Sequence, residues 1–362
     1  MTTLTWAEAV ECYGDQWEAI VRRQNLNPTV LPGWIDIAKR VYRPDSDLRV
    51  LVCTDGQELI AVVPHFFTSE RQLGLTLSVA HLASNTVSYH ASLPSIVSQA
   101  EALHVFVRSV SDWDVLRISN VSVDDALTAA VFELASTRGL GVIALPTEES
   151  PYLPIESDWD KYLATRSKKF RYKLRQREKA VSKNPAIELT TYTSHVDVEK
   201  LFSDIVSVDG RSWKASYGKD IGSNDAERRY YELLLPFLHR QGALHAAVLS
   251  FEGQPIAYSL CCHWNGWFGQ LKTSFDESYG HLSPGATVVD ASVRAAFDSG
   301  AREFDFLGDT DQHKLLWTNA IRKHHDLFVY SSRLKPQLVR ALKGLKYRHF
   351  GFARKPTVKP KG

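Results

Sequence analysis

"LSPGATVVDASVRAAFDSGAREFDFL", residues 282–307, opens as a helix and closes as a strand. Ser283 stands where a cap belongs, Pro284 suits the first helical position, and apolar residues then recur at helical spacing. A cap alone gives no reason for Gly285, because glycine inside a helix costs up to about 1 kcal/mol relative to alanine. Glycine does let a ligand approach the N–H groups that a helix start leaves unpaired. Two readings therefore stand: a well-made helix start, or a cradle for the phosphates of a cofactor. Beyond the helix, Phe304 and Phe306 alternate with Glu303 and Asp305, as along a strand.

Upstream lie three strand-like runs, "ALHAAVLSF" (243–251), "PIAYSLCCHW" (255–264) and "GWFGQLKTSF" (266–275), and downstream a helical run near 311–321 and the strand "HDLFVYSS" (325–332). The first half shows the same order. Two helices, "TWAEAVECYGDQWEAIVRRQ" and "PGWIDIAKRVYR", precede the strands "DLRVLVCT", "ELIAVVPHFF" and "LTLSVAHLA". A helix near 97–110, the strand "DVLRIS", a helix capped by Asp124 or Asp125 and ended by Gly139, and the strand "GVIAL" follow. "TDGQELIAVVPHF" and "FEGQPIAYSLCCHW" share a Gly-Gln turn leading to Ile-Ala, a sign of duplication. Alternating strands and helices predict an α/β fold of two mixed-sheet domains, residues 1–150 and 151–332. The first-half counterpart of the opening stretch, "HASLPSIVSQAEAL", has no glycine after Pro94, so one carrier site is expected, in the second half.

Between the halves, eight Lys or Arg from Arg166 to Lys179 crowd what reads as one long helix after Ser157, with Leu163, Phe170 and Leu174 as its thin apolar stripe. It is either a solvated face or a site for anionic groups. Residues 333–362 hold ten Lys or Arg and no Asp or Glu, while the whole chain carries only +2. Leu334, Leu338, Leu342 and Leu345 fall there at helical spacing. Such a basic amphipathic helix either packs on the body with its cations in water or meets an anionic membrane or protein partner. No aromatic-interleaved motif points to nucleic acid.

No run of about 18 apolar residues could cross a bilayer, and the opening residues lack a basic, then apolar, secretory signal. A cytoplasmic protein, peripheral to the inner membrane at most, is expected. Cys12, Cys53, Cys261 and Cys262 form neither a CxxC pair nor a disulfide framework, so no metal site is expected.

"SKKFRYKLRQREKAV", "RSWKASYGKD", "EGQPIAYSL" and "LSPGATVVDASVRAAFDSGAREFDFLGDTDQHKLLW", in that order, resemble the GNAT-type acyltransferases labelled CelD/BcsL-like, relatives of the FemABX peptidyltransferases. The resemblance implies two tandem GNAT-like halves and an acyl group moved from acetyl-CoA or another acyl-CoA to an amine, as on a cell-envelope or polysaccharide precursor. A FemABX-like use of aminoacyl-tRNA and a non-catalytic assembly role are the alternatives. GNAT proteins carry a basic, Gly-rich loop at the carrier site, where this chain has "GHLSPG" with His281 as the nearest cation. The family's Tyr-Lys pair is here His313-Lys314.

Thioester chemistry needs an anion site, oxyanion donors and a proton route. Ser283, Gly285 and Ala286 with Lys314 are the expected carrier residues, and Gly266 and Gly269 permit a bulge that aims backbone N–H groups. Asp305, Asp309 and His313 are the expected proton-handling groups, with helix capping as the other reading for Asp309 and Asp311. Arg171, Lys173, Trp213, Lys214, Gln270 and Lys272 are expected to hold an acceptor bearing phosphate or carboxylate.

Overall fold

The structure, a computed structural model, describes residues 1–83, 90–193 and 196–350, the last six of these by backbone alone. In chain order the elements are β1 (Thr2–Thr5), α1 (Trp6–Arg23), α2 (Pro32–Tyr42), β2 (Arg49–Asp55), β3 (Glu58–Gln72), β4 (Leu75–Leu82), α3 (Gln99–Ser109), β5 (Val115–Ser122), α4 (Ala126–Arg138) and β6 (Gly141–Pro154). Next come α5 (Trp159–Thr165), α6 (Lys168–Lys183), β7 (Ile187–Tyr192), α7 (Val198–Asp209), α8 (Asp225–Arg240), β8 (Leu244–Phe251), β9 (Gln254–Trp264) and β10 (Trp267–Phe275). Last are α9 (Pro284–Asp298), β11 (Glu303–Asp305), α10 (Gln312–Leu315), β12 (Ile321–Tyr330) and α11 (Leu334–Phe350).

Two compact units result, and each draws on both halves of the sequence. The first comprises Met1–Gln24, Asp45–Glu148 and the chain from Lys323 on; the second comprises Asn25–Pro44 and Glu149–Arg322. In the first, β1, β2, β3 and β4 pair antiparallel in turn, β4 pairs parallel with β5, and β12 pairs antiparallel with β5. In the second, β7, β8, β9 and β10 pair antiparallel, β10 pairs parallel with β11, and the end of β6 pairs antiparallel with β11. The pattern repeats, as the shared hairpins predict, but the sixth strands are exchanged. The first unit completes its sheet with a strand from the end of the second half, and the second unit with one from the end of the first.

A cut at 150 thus differs from the observed division. Helix α2 also belongs to the second unit, where Trp34 Nε1 donates to the Tyr230 hydroxyl of α8 at 2.9 Å and Gly33 leaves room for the Phe237 ring. The final strand and α11 belong to the first unit, so the described part of the expected C-terminal appendage, residues 333–350, is grouped with that unit; residues 351–362 lie outside the described residues.

Local chemistry explains other departures. The expected long helix is two helices: Arg166 and Ser167 are extended, and Ser167 Oγ accepts from Phe170 N–H to start α6 anew. Asp158, rather than Ser157, caps α5. The helical run near 311–321 shrinks to the four residues of α10. Asp125 is the N-cap residue of α4 but makes no capping hydrogen bond to the helix, and Gly139 ends that helix in the left-handed region at φ 63°. Cys261 and Cys262 are both fully buried. Among the described residues no helix is long and apolar enough to cross a membrane.

On one face of the second unit's sheet lie α5, α6 and α9. Phe170 and Leu174 of α6 join a core cluster with Val293, Ala296, Phe268, Phe304 and Trp317, while Val181 joins Val288 and Leu282 in another. Helix α6 therefore runs antiparallel to α9. The opposite face carries α7 and α8, with Leu201, Ile205, Val208, Leu234 and Leu238 buried.

Candidate functional site

The site grows from an irregularity in β10. Its ladder with β9 pairs Gln270 with Cys261 and then Lys272 with Leu260, so Leu271 is one residue too many, a bulge next to Gly269. A bulge reverses which face each later side chain takes. Before it, Gln270 points to the α9 face, where its Nε2 donates to Ser259 Oγ at 3.1 Å and Ser292 of α9 donates to the same oxygen at 2.9 Å. After it, Lys272 turns to α7 and α8, while Phe275 meets α9 at Gly285. Plain alternation would have kept Lys272 beside Gln270.

Lys272 enters a buried ionic cluster. Its Nζ lies 2.5 Å from Glu227 Oε1 of α8 and 3.5 Å from Asp209 Oδ2 of α7. Asp209, fully buried, also accepts from Lys214 Nζ at 3.2 Å, the Tyr258 hydroxyl at 3.0 Å and Ile221 N–H at 2.9 Å. Lys214 Nζ gives a further bond to the Thr273 carbonyl at 2.8 Å, which ties the cluster to β10. Burial pushes the Asp209 carboxyl up, but Lys214 and Lys272 outweigh it and hold the group below its usual value. The same burial pulls the Lys214 ammonium below the usual lysine range against the pull of Asp209. Two cations and two carboxylates balance, as buried charges must. Glu227, with its side chain 27% exposed, is the carboxylate that reaches solvent.

On its other edge β10 loses its neighbour. Only Trp267–Gly269 pair with Glu303–Asp305, and β10 then runs on to Phe275 without β11 beside it. Close by, α9 begins without a side-chain cap. Ser283 is left-handed, at φ 56°, and makes no cap hydrogen bond, contrary to its expected role. Pro284 occupies the first turn, which carries no acidic residue, and Ala286 is exposed. An uncapped start of this kind favours an anion through its N–H groups and the helix dipole. Gly285 has a packing reason as well: a Cβ there would lie 2.7 Å from Phe275 Cδ1.

The expected residues divide accordingly. Lys214 and Lys272 come together, Gln270 lies on the opposite sheet face, and Trp213 is 43% exposed against Tyr217. Arg171 and Lys173 sit on the part of α6 nearer the end of α9 than its start. What binds α6 to α9 is the buried pair Arg177–Asp290, with bonds of 2.5 and 2.9 Å. Asp305 already has a partner, since Arg322 Nη1 donates to it at 2.7 Å and also holds Glu303 at 2.9 Å. That pairing holds the Asp305 carboxylate at the end of β11. Asp309 and His313 are exposed. Lys314 Nζ donates to the carbonyls of Leu307 and Asp309 at 2.6 and 2.8 Å, stapling the loop, and burial pulls its ammonium below the lysine range. Asp311 is a helix cap, accepting from His313 and Lys314 N–H.

Asp209, Glu227 and Tyr258 escape a reading by motif. One signal was available: Asp209 continues the apolar stripe of Leu201 and Ile205 at four-residue spacing, and a charge on such a stripe needs a partner.

Residues 168–315, from α6 to α10, match the acetyltransferase (GNAT) domain family. The second half thus carries an acyltransferase domain. In structure the chain is similar to FemX, at 14% identity and a TM-score of 0.61, over 94% of this chain and 100% of that one. It is similar also to the C-terminal domain of a protein assigned as lysylphosphatidylglycerol synthetase from Agrobacterium fabrum, at 12% identity and 0.54, over 94% and 97%. L-PGS from Bacillus licheniformis gives 13% and 0.51, over 91% and 96%. At such identities these likenesses establish the fold. Among curated proteins none matches the sequence.

Proposed function

We propose that the second unit is an N-acyltransferase that moves an acyl group, acetyl in the simplest case, from acyl-CoA to an amine. The observation that carries this reading is the break in the sheet at Gly269–Leu271. There β10 parts from β11 and bulges, with the uncapped start of α9 on one face and the Asp209–Lys214–Lys272–Glu227 cluster on the other.

In this arrangement the carrier's phosphates take the first-turn N–H groups of α9. Lys179 and Lys183, exposed on the end of α6 that approaches that turn, supply the cations that a basic loop supplies elsewhere. The thioester lies along the open edge of β10, and backbone N–H groups at the bulge stabilise the tetrahedral oxyanion, each worth about 10²-fold in rate. An amine of pKa near about 10 arrives protonated at neutral pH, so the Glu227 carboxylate takes its proton, directly or through water. The C–N bond then forms and the C–S bond breaks; the nitrogen gives its second proton to solvent as the amide forms, and the departing thiolate takes one up from solvent. Asp209, Lys214 and Lys272 keep Glu227 in place.

The CelD/BcsL-like resemblance extends the reading to an amine on a nucleotide-linked sugar or lipid-linked precursor of an exported polysaccharide, made in the cytoplasm. A second reading rests on α6, where Lys168, Lys169, Lys173, Arg175, Lys179 and Lys183 are all exposed. That face suits the phosphates of an aminoacyl-tRNA as acyl donor.

Calorimetry with acetyl-CoA, longer acyl-CoAs and an aminoacyl-tRNA separates the two. Binding of a CoA ester that weakens with Lys179→Ala and Lys183→Ala supports the first. No heat with any CoA ester at millimolar concentration, with tight tRNA binding, overturns it for the second.

A further inference from the structure

Helix α11 packs on the first unit through Val339 and several basic side chains, with a row of leucines outward. Val339 is fully buried beside Leu77, Val79, Val115 and Tyr330 of the first unit. Lys335 Nζ bonds the Thr76 carbonyl at 2.7 Å and pairs with Asp114 at 2.8 Å. Lys343 Nζ bonds Gln72 Oε1 at 2.7 Å and lies over the Phe328 ring, and Arg340 lies across Gly141. The body is thus gripped by the basic side chains. Leu334, Leu338 and Leu342 are left 88%, 51% and 45% exposed.

Positions four residues apart form one stripe, and these three span about 12 Å along the helix. A packed helix normally turns its leucines in, since burying one is worth about 1.5–3 kcal/mol. Three in line on the outer face call for an apolar partner.

We propose that α11 docks the chain in the plane of an anionic lipid bilayer, its leucine stripe entering the headgroup boundary. Charge decides the partner. Of the ten Lys or Arg in residues 333–362, which hold no acidic residue, Arg333, Lys335, Arg340 and Lys343 are taken up against the body; the other six would repel their counterparts in a second copy, whereas anionic headgroups supply the opposite sign. Size agrees, because three leucines fall well short of the roughly 800 Å² per partner that a stable protein interface buries, yet suffice for shallow insertion. No described helix is fit to span the bilayer, so the contact is peripheral.

Flotation of the full chain with phosphatidylcholine vesicles, with and without phosphatidylglycerol, tests this. The protein should float with the anionic vesicles only and be released by salt. Leu334→Ser, Leu338→Ser and Leu342→Ser together should cut the bound fraction about tenfold or more while leaving the thermal midpoint unchanged, because these side chains are exposed. A polarity-sensitive dye on Leu338→Cys should shift to the blue with anionic vesicles. Equal flotation of wild type and triple variant, or no flotation of the wild type, overturns the proposal. So does a lipid-independent dimer that the triple variant abolishes, which would assign the stripe to a second copy.

Discussion

A methyl group on the α-carbon of Gly285 would stand 2.7 Å from Cδ1 of Phe275. The ring at the end of β10 thus demands a glycine in the first turn of α9 whatever binds there. Two demands on one residue can be separated. Gly285→Ala alone should cost about 1–3 kcal/mol by overpacking. Adding Phe275→Leu should restore the thermal midpoint. If acyl-CoA binding, read by calorimetry, stays lost in the restored double variant, the glycine also serves the carrier; if binding returns, packing is its whole role.

Asp209→Asn strips the fully buried carboxylate from between Lys214 and Lys272 and should destabilise the second unit by about 3 kcal/mol or more. Because folding holds this carboxyl below its usual value, its stabilisation is present above about pH 4 and is lost as pH falls through the folded value. Denaturant titrations from neutral to acid pH should show that loss in the wild type and a flatter profile in Asp209→Asn.

Glu227→Gln addresses the chemistry. It should lower kcat by about 10²-fold or more; because it also leaves Lys272 without its partner at 2.5 Å, the thermal midpoint should fall as well, and kcat is compared at a temperature where both proteins are folded. Unchanged turnover would remove Glu227 as the proton acceptor.

Asp290 behaves oppositely to Asp209. Burial, only partly opposed by Arg177, raises its carboxyl to about 6. Its contribution to stability is therefore present below about pH 4 and lost as pH rises through about 6. Asp290→Asn should flatten that part of the stability curve, by an amount on the order of 3 kcal/mol between the two ends.

Arg322→Met leaves Glu303 and Asp305 as neighbouring carboxylates, one of them buried, and should cost about 3 kcal/mol. Asp305→Asn, which keeps the Glu303 pair, should cost less and leave kcat of the folded enzyme nearly unchanged. A large loss in kcat at intact stability would return Asp305 to the chemistry.

Much of the fold is legible in residue order because periodicity and turns are local. The hairpins at Gly56 and Gly253, the parallel β10–β11 pair and the end of α4 at Gly139 follow from such signals. Strand exchange does not, since a strand's neighbour is chosen by tertiary pairing and "HDLFVYSS" reads the same beside either sheet. The site divides in the same way. Gly269 signals a bulge, but only the paired ladder shows Leu271 as the extra residue, and that displacement alone brings Lys272 to Asp209. Asp305 stands out in the sequence as a carboxylate late in a strand, but its partner Arg322, 17 residues further on, does not.

The exchanged strands bear on how this chain comes into being. The first unit's sheet needs His324–Tyr330 beside β5, so it cannot close until the chain through β12 has left the ribosome. The N-terminal strands must wait with an unpaired edge, and expressing residues 1–150 alone would leave that edge permanently bare. The exchange makes the two repeats obligatory companions, because each sheet is finished by a strand that the other half of the sequence supplies.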